Sequence, residues 1–100
     1  RQAELKQAIA LYQKILATPG IDIGTRAEAL TRLGDIDLWI NQTSQAEAKL
    51  QQVLKLTRDG KYRKGETEVL VLLAGVARNR QDYPKASELA SHALMIAQQA

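Results

Sequence analysis

Apolar residues recur along this chain at spacings of three and four, the period of a helix with one buried face, and they predict five helices. The most apolar stretch, residues 69–77, combines Leu70, Leu73, Ala74 and Ala77 on one face with Val69, Val71, Leu72 and Val76 on the others. A helix apolar all round is buried between neighbours, so the remaining elements are expected to pack around this one.

The first helix is predicted over residues 2–17, with Leu5, Ala8, Ile9, Tyr12, Ile15 and Leu16 as its stripe. Thr18-Pro19-Gly20 stops it, and Ile21 to Gly24 forms a short loop pinned by its two isoleucines. Thr25 with Glu28 has the form of a capping box, which starts the second helix at Thr25 and carries it to Ile40. Leu30, Leu33, Gly34 and Ile40 point one way, while Ile36 and Trp39 lie towards a flanking face, Trp39 as a partly buried packing residue or, as the alternative, an exposed binding anchor. Ser44 with Glu47 repeats the capping pattern for the third helix, whose stripe is Ala46, Leu50, Val53, Leu54 and Thr57 and whose stop is Asp59-Gly60. Lys61 to Gly65 reads as a loop, and the fourth helix spans residues 66–80. Asp82 is the expected N-cap of the fifth, with Pro84 tolerated in its first turn and Ala86, Leu89, Ala90, Ala93, Leu94 and Ala97 facing inward.

Composition narrows the class. There is no Phe, one Trp and three Tyr, so the core is aliphatic, and the absence of Cys excludes disulfides and thiolate metal sites. Apolar residues at 45% and charged residues at 25% describe an ordinary folded domain. No apolar run approaches the about 20 residues of a membrane span, so membrane insertion is not expected. The formal charge is +3, with one local cluster at Lys61, Arg63 and Lys64. Nucleic-acid binding would need a concentrated basic stripe with aromatics placed to stack, and the cluster is read instead as a solvated loop. The chain starts at Arg1 already in a helical pattern, which suggests a piece of a longer protein; a cytoplasmic location is expected.

Catalytic chemistry finds no constellation. His92 is the only histidine, and Ser91, next to it in sequence, does not face it on a helix, so it is expected to be a surface or half-buried structural residue. Asp35 and Asp37 project to different sides of their helix. No phosphate-cradling glycine loop or metal-ligand spacing is present, so the expectation is no enzyme, no cofactor and no metal.

The register repeats. Leu30-x-x-Leu33-Gly34 is followed twelve positions after Gly34 by Ala46, and Leu70-x-x-Leu73-Ala74 is followed twelve positions after Ala74 by Ala86. Small residues at matched sites let antiparallel helices approach, and Gly34 inside a helix costs about 1 kcal/mol relative to Ala, so a close contact is its best explanation. With Ala8-x-x-x-Tyr12, and with Gln81-Asp82-Tyr83-x-x-Ala86-x-x-Leu89-x-x-x-Ala93-Leu94-x-Ile96 as the nearest match, the chain resembles the tetratricopeptide repeat family, in a longer-period form similar to bacterial multi-repeat proteins and kinesin light chains. It departs from the family pattern in having Leu30 and Leu70 for the Trp, Asp37 and Ala77 for the Tyr, and no terminal Pro.

The resemblance implies an all-α, right-handed α-solenoid of antiparallel helix pairs, about two and a half repeats in one domain over residues 1–100. Residues 1–17 would be the second helix of a partial repeat, and 25–58 and 65–99 two whole ones. It implies a protein–protein interaction module that holds a peptide or helix in a concave groove lined by first helices. Carried over by register, that groove presents Glu28, Thr31, Arg32, Asp35 and Leu38, then Glu68, Val71, Leu72, Gly75 and Arg78. Val71, Leu72 and Leu38 would anchor a partner, and Arg32 and Arg78 would orient it; Val71 and Leu72 could equally pack against the second helix or a neighbouring repeat. The alternative is an architectural segment that stacks on further repeats, or self-associates through exposed terminal helices, within a larger regulatory protein.

Overall fold

In a computed structural model the protein is described over residues 2–99, and the expected domain limits at Arg1 and Ala100 lie outside that range. Five helices follow in order: α1 (Gln2–Ala17), α2 (Ile23–Trp39), α3 (Thr43–Gly60), α4 (Arg63–Asn79) and α5 (Tyr83–Gln99). There is no strand among the described residues.

Each helix packs on the next. The start of α3 meets the end of α4 through Arg80, whose guanidinium donates to Glu47 Oε1 at 2.8 Å and Ser44 Oγ at 3.3 Å, so these two helices run antiparallel. Arg63 at the start of α4 donates to Gln99 Oε1 near the end of α5 at 3.1 Å, with the same consequence for that pair. The α2–α4 contact is different. Arg32 meets Glu68 and Leu38 meets Gly75, so the two helices lie side by side in parallel.

The core is the aliphatic one the stripe predicts. Leu50, Leu70, Val53 and Val69 are fully enclosed, joined by Ala46, Leu73, Val76, Ala93 and Ile96. In the apolar run of α4, Val69, Leu70, Leu73, Ala74, Val76 and Ala77 are all buried, because α4 touches α2, α3 and α5. The α1 stripe is half-buried throughout, consistent with a helix packed on α2 alone.

Several boundaries differ from the sequence reading, each for a local reason. Helix α2 starts at Ile23, not Thr25, because Asp22 is its N-cap: the Asp22 carboxylate accepts from the Thr25 amide at 2.7 Å. Thr25 is thus inside the first turn, and Glu28 turns to Arg32 instead of closing a capping box. Ile23 is exposed, so only Ile21 is partly covered in that loop. Helix α3 starts at Thr43 with no side-chain cap, since Ser44 and Glu47 are both engaged by Arg80. The expected loop from Lys61 to Gly65 shrinks to Lys61 and Tyr62, and α4 starts three residues early and stops at Asn79.

Three of the helix ends use non-glycine residues in the left-handed conformation, Asn41 (φ 62), Lys61 (φ 59) and Gln81 (φ 62). At each, the next amide reaches back to close the helix: Gln42 to Asp37 O, Tyr62 to Thr57 O and Asp82 to Ala77 O, at 2.7 to 2.9 Å. Gly60, expected as the stop, remains helical and the left-handed residue is Lys61; the Tyr62 ring lies against Gly60, where a side chain would collide. Asp82 caps α5 as expected, accepting from the Lys85 amide at 3.3 Å. The α5 seam runs through Ala86, Leu89, Ala93 and Ile96; Ala90, Leu94 and Ala97, expected to face inward, are exposed because α5 packs on α4 only.

Gly34 has the close contact expected of it. A Cβ there would stand 2.8 Å from Leu50 Cδ2 and 2.9 Å from Leu50 Cγ, and Leu50 is wholly enclosed. Gly34→Ala gains about 1 kcal/mol of helix propensity but overpacks a site where such strain costs about 1–3 kcal/mol, so a net loss of about 1 kcal/mol is expected in urea unfolding. Gly75→Ala, whose Cβ would meet Leu38 Cδ1 at an ordinary 3.7 Å, is expected to stabilise by about 0.5 kcal/mol.

The Asp22 cap supplies a pH test. The Thr25 amide hydrogen bond, then the Thr25 hydroxyl, hold its carboxyl below the usual carboxylate range. Its contribution is therefore complete at neutral pH and is lost as the pH falls through that lowered value. Asp22→Ala is expected to lower the melting temperature at pH 7, with the deficit vanishing in acid; Asp22→Asn, which keeps an acceptor, should retain most of the stability at both.

Candidate functional site

The residues assigned to a groove fall on α2 and α4, and the parallel contact between these helices places most of them on one continuous face. Helical register does the rest: Glu28, Arg32 and Asp35 follow at four and three along α2, as do Glu68, Val71, Leu72 and Gly75 along α4. Arg32 is the hinge of the arrangement. Its Nη2 donates to Glu68 Oε2 at 2.6 Å across the helices, and its Nε stands 3.5 Å from Glu28 Oε1 along its own helix. That Nε is shielded from solvent and makes no hydrogen bond among the described residues. Partial burial opposes the charge of Arg32, but the hydrogen bond and attraction from Glu68, with Glu28 and Asp35 behind, outweigh it and raise its pKa above the usual value.

Of the three expected anchors, Val71 is 53% exposed and stands free on this face. Leu72 and Leu38 are half-buried and pack against the core, Leu38 closing over Gly75. Arg78 is exposed near the end of α4, and Asp35 is half-exposed. Thr31 does not belong to the surface. It is buried, and its hydroxyl donates to Ala27 O at 2.7 Å, satisfied by its own helix.

Trp39, read from the sequence as a partly buried packing residue, is 84% exposed. Leu38, not Trp39, continues the face set by Ala27, Leu30 and Gly34, and the indole projects about 100° away from it. Asp35 and Asp37 do diverge, and Asp37 pairs with Lys49 of α3, a partner twelve residues away that helical spacing does not indicate. His92 is half-buried on α5. No group of three or more His, Cys, Asp or Glu able to hold a metal ion occurs among the described residues, and none of their helices is long and apolar enough to cross a membrane.

A cleft lies away from this face. Its volume is about 1010 Å³, and it sits at the end of the molecule where the amino termini of α2 and α4 meet the carboxy termini of α3 and α5. The basic cluster Lys61, Arg63 and Lys64 lies at its mouth, in the first turn of α4 and the residues before it, not in an extended loop.

The Arg32–Glu68 pair is half-exposed, with 30% and 47% of the two side chains accessible, so its contribution to holding α2 against α4 is modest. A double-mutant cycle with Arg32→Gln and Glu68→Gln, read by urea unfolding, should give a coupling of about 0.5–1 kcal/mol that shrinks in high salt.

Comparison of the chain with protein-family models, with curated proteins and with solved structures returns no match in any of the three.

Proposed function

We propose that the chain is a protein–protein interaction module of tetratricopeptide type, a right-handed stack of helix pairs that receives a peptide or helix of a partner protein on the shared face of α2 and α4. The observation that carries this reading is the pattern of helix contacts. Alternate helices α2 and α4 touch directly, whereas no Cα atoms of α1 and α3, or of α3 and α5, approach within 8 Å at distant sequence positions. Such a stack is closed on the α2–α4 side and splayed on the other, which is how an array of pairs acquires an inner, partner-facing surface.

On that surface Val71 offers an apolar contact between the charges of Glu28, Arg32, Asp35 and Arg78. An apolar anchor gives affinity, and charges of both signs around it set the register of what binds.

A second reading, an architectural segment, is favoured by one observation. Leu54 of α3 lies at the α3–α4 seam and is 9% exposed, while Leu94 occupies the corresponding position of α5, forty residues later, and is 59% exposed. A further first-type helix stacked on α5 would cover Leu94.

A displayed library of helical peptides panned against the folded chain separates the two. Under the interaction reading, selected peptides lose binding about tenfold or more to Val71→Asp or Arg32→Glu, and retain it for Lys55→Glu on the exposed side of α3. Peptides that ignore Val71→Asp, or whose binding is abolished by Leu94→Glu instead, would transfer the case to the stacking surface.

A further inference from the structure

The cleft at the helix ends lies outside the face just described, although Glu28 and Glu68 border both. Its floor is apolar and made of buried side chains from three helices: Ala27 of α2, Val53 and Thr57 of α3, and Ile96 of α5. The two buried hydroxyls facing this region are already used, Thr31 on Ala27 O and Thr57 on Leu54 O at 3.0 Å, so the floor asks for no polar partner. Small residues keep it open. Gly24 and Ala97 form part of the wall, and Gly65 could carry no Cβ without one standing 2.9 Å from Thr57 Cγ2. The volume lies at the upper end of the about 300–1,000 Å³ range of small-molecule sites.

The mouth carries three cations and two acids, but the acids are already engaged. Arg32 holds both acids of the border, Glu68 at 2.6 Å and Glu28 at 3.5 Å. Arg63 donates only to the neutral amide of Gln99, and Lys61 and Lys64 make no ion pair within 4 Å among the described residues. These three cations sit at the amino terminus of α4, where the helix dipole already places positive potential and where basic residues are unfavourable for the helix itself. Local stability favours acids there, and Glu66, in the same turn, is held by Arg58; the three cations around it are a departure from that preference, and departures of this kind concentrate at functional sites. An anion at the mouth would relieve the repulsion.

We propose that this cleft binds a single linear aliphatic carboxylate, its alkyl chain lying over Ala27, Val53 and Ile96 and its carboxylate at Lys61 and Lys64. The apolar floor selects the chain and the cationic rim selects the sign of its head.

The test uses the full chain and two soluble amphiphiles of equal tail and opposite head, dodecanoate and dodecyltrimethylammonium, each below its micelle-forming concentration, followed by amide chemical shifts. The expected result is saturable shifts with dodecanoate centred on Gly24, Thr57 and Gly65, and at least about tenfold weaker binding of the ammonium. Ala97→Phe, which fills the wall from an exposed position and so leaves the core intact, should weaken dodecanoate about tenfold, and the double variant Lys61→Gln with Lys64→Gln should abolish the preference between heads. Circular dichroism checks that both variants fold. Equal binding of the two amphiphiles, shifts centred on Leu94, Met95 or Trp39, indifference to Ala97→Phe, or no saturable shift would overturn the proposal.

Discussion

Where Leu50 lies across Gly34, the side chain of one helix takes the space that a side chain on its neighbour would need. That contact brings the α2 and α3 backbones close, and the placement of α4 depends on it. Leu50, Val53 and Leu54 then form the surface on which Leu70 and Leu73 settle. With no Phe to fill large gaps, such a core reaches interior density only by interleaving small and branched residues, and so it tolerates little displacement. The same economy explains why α4, bordered on three sides, is the most apolar element, and why α1 and α5, each with one neighbour, bury little: none of the α1 residues is fully buried, and in α5 only Ala93 and Ile96 are.

The helices and their buried stripes were legible because period and burial are the same signal: a residue three or four along from a core residue stays in the core until the helix loses its neighbour. Helix α5 is where that rule ran out. Ala90, Leu94 and Ala97 have the right spacing, but spacing does not say whether a second neighbour exists to use it. The starts of helices were less legible. Asp22, Thr25 and Ser44 are all residue types that cap, and the choice among them was made by competition: Asp22 lies further upstream and wins the Thr25 amide, while Ser44 is taken by Arg80 from another helix. The left-handed residue at the end of α3 is Lys61, one position past the glycine, and the glycine instead gives room to the Tyr62 ring.

The candidate surface divides in the same way. Register placed Arg32, Glu68, Leu38 and Gly75 on adjoining helices, and the structure brings them together. Register could not tell that Thr31 would bond to its own backbone, nor that Trp39, one residue past Leu38, would fall off the packed face. The cleft was invisible for a different reason. Its floor is built from residues on three helices that share no spacing, and its rim from a basic cluster that looks like any solvated turn until the helix it begins is placed against its neighbours.

The left-handed positions Asn41, Lys61 and Gln81 stand twenty residues apart, so α3 and α4, each with its turn, are metered to one length. A segment cut at two of these positions forty apart would carry a complete pair with both of its joints. Copies of residues 41–80 placed end to end would present each junction with the same backbone geometry the chain already uses. In this sense the molecule is a ruled scale as well as a domain: its length can be counted in turns, and an insertion of any size other than a multiple of the unit would be felt as a rotation of everything beyond it.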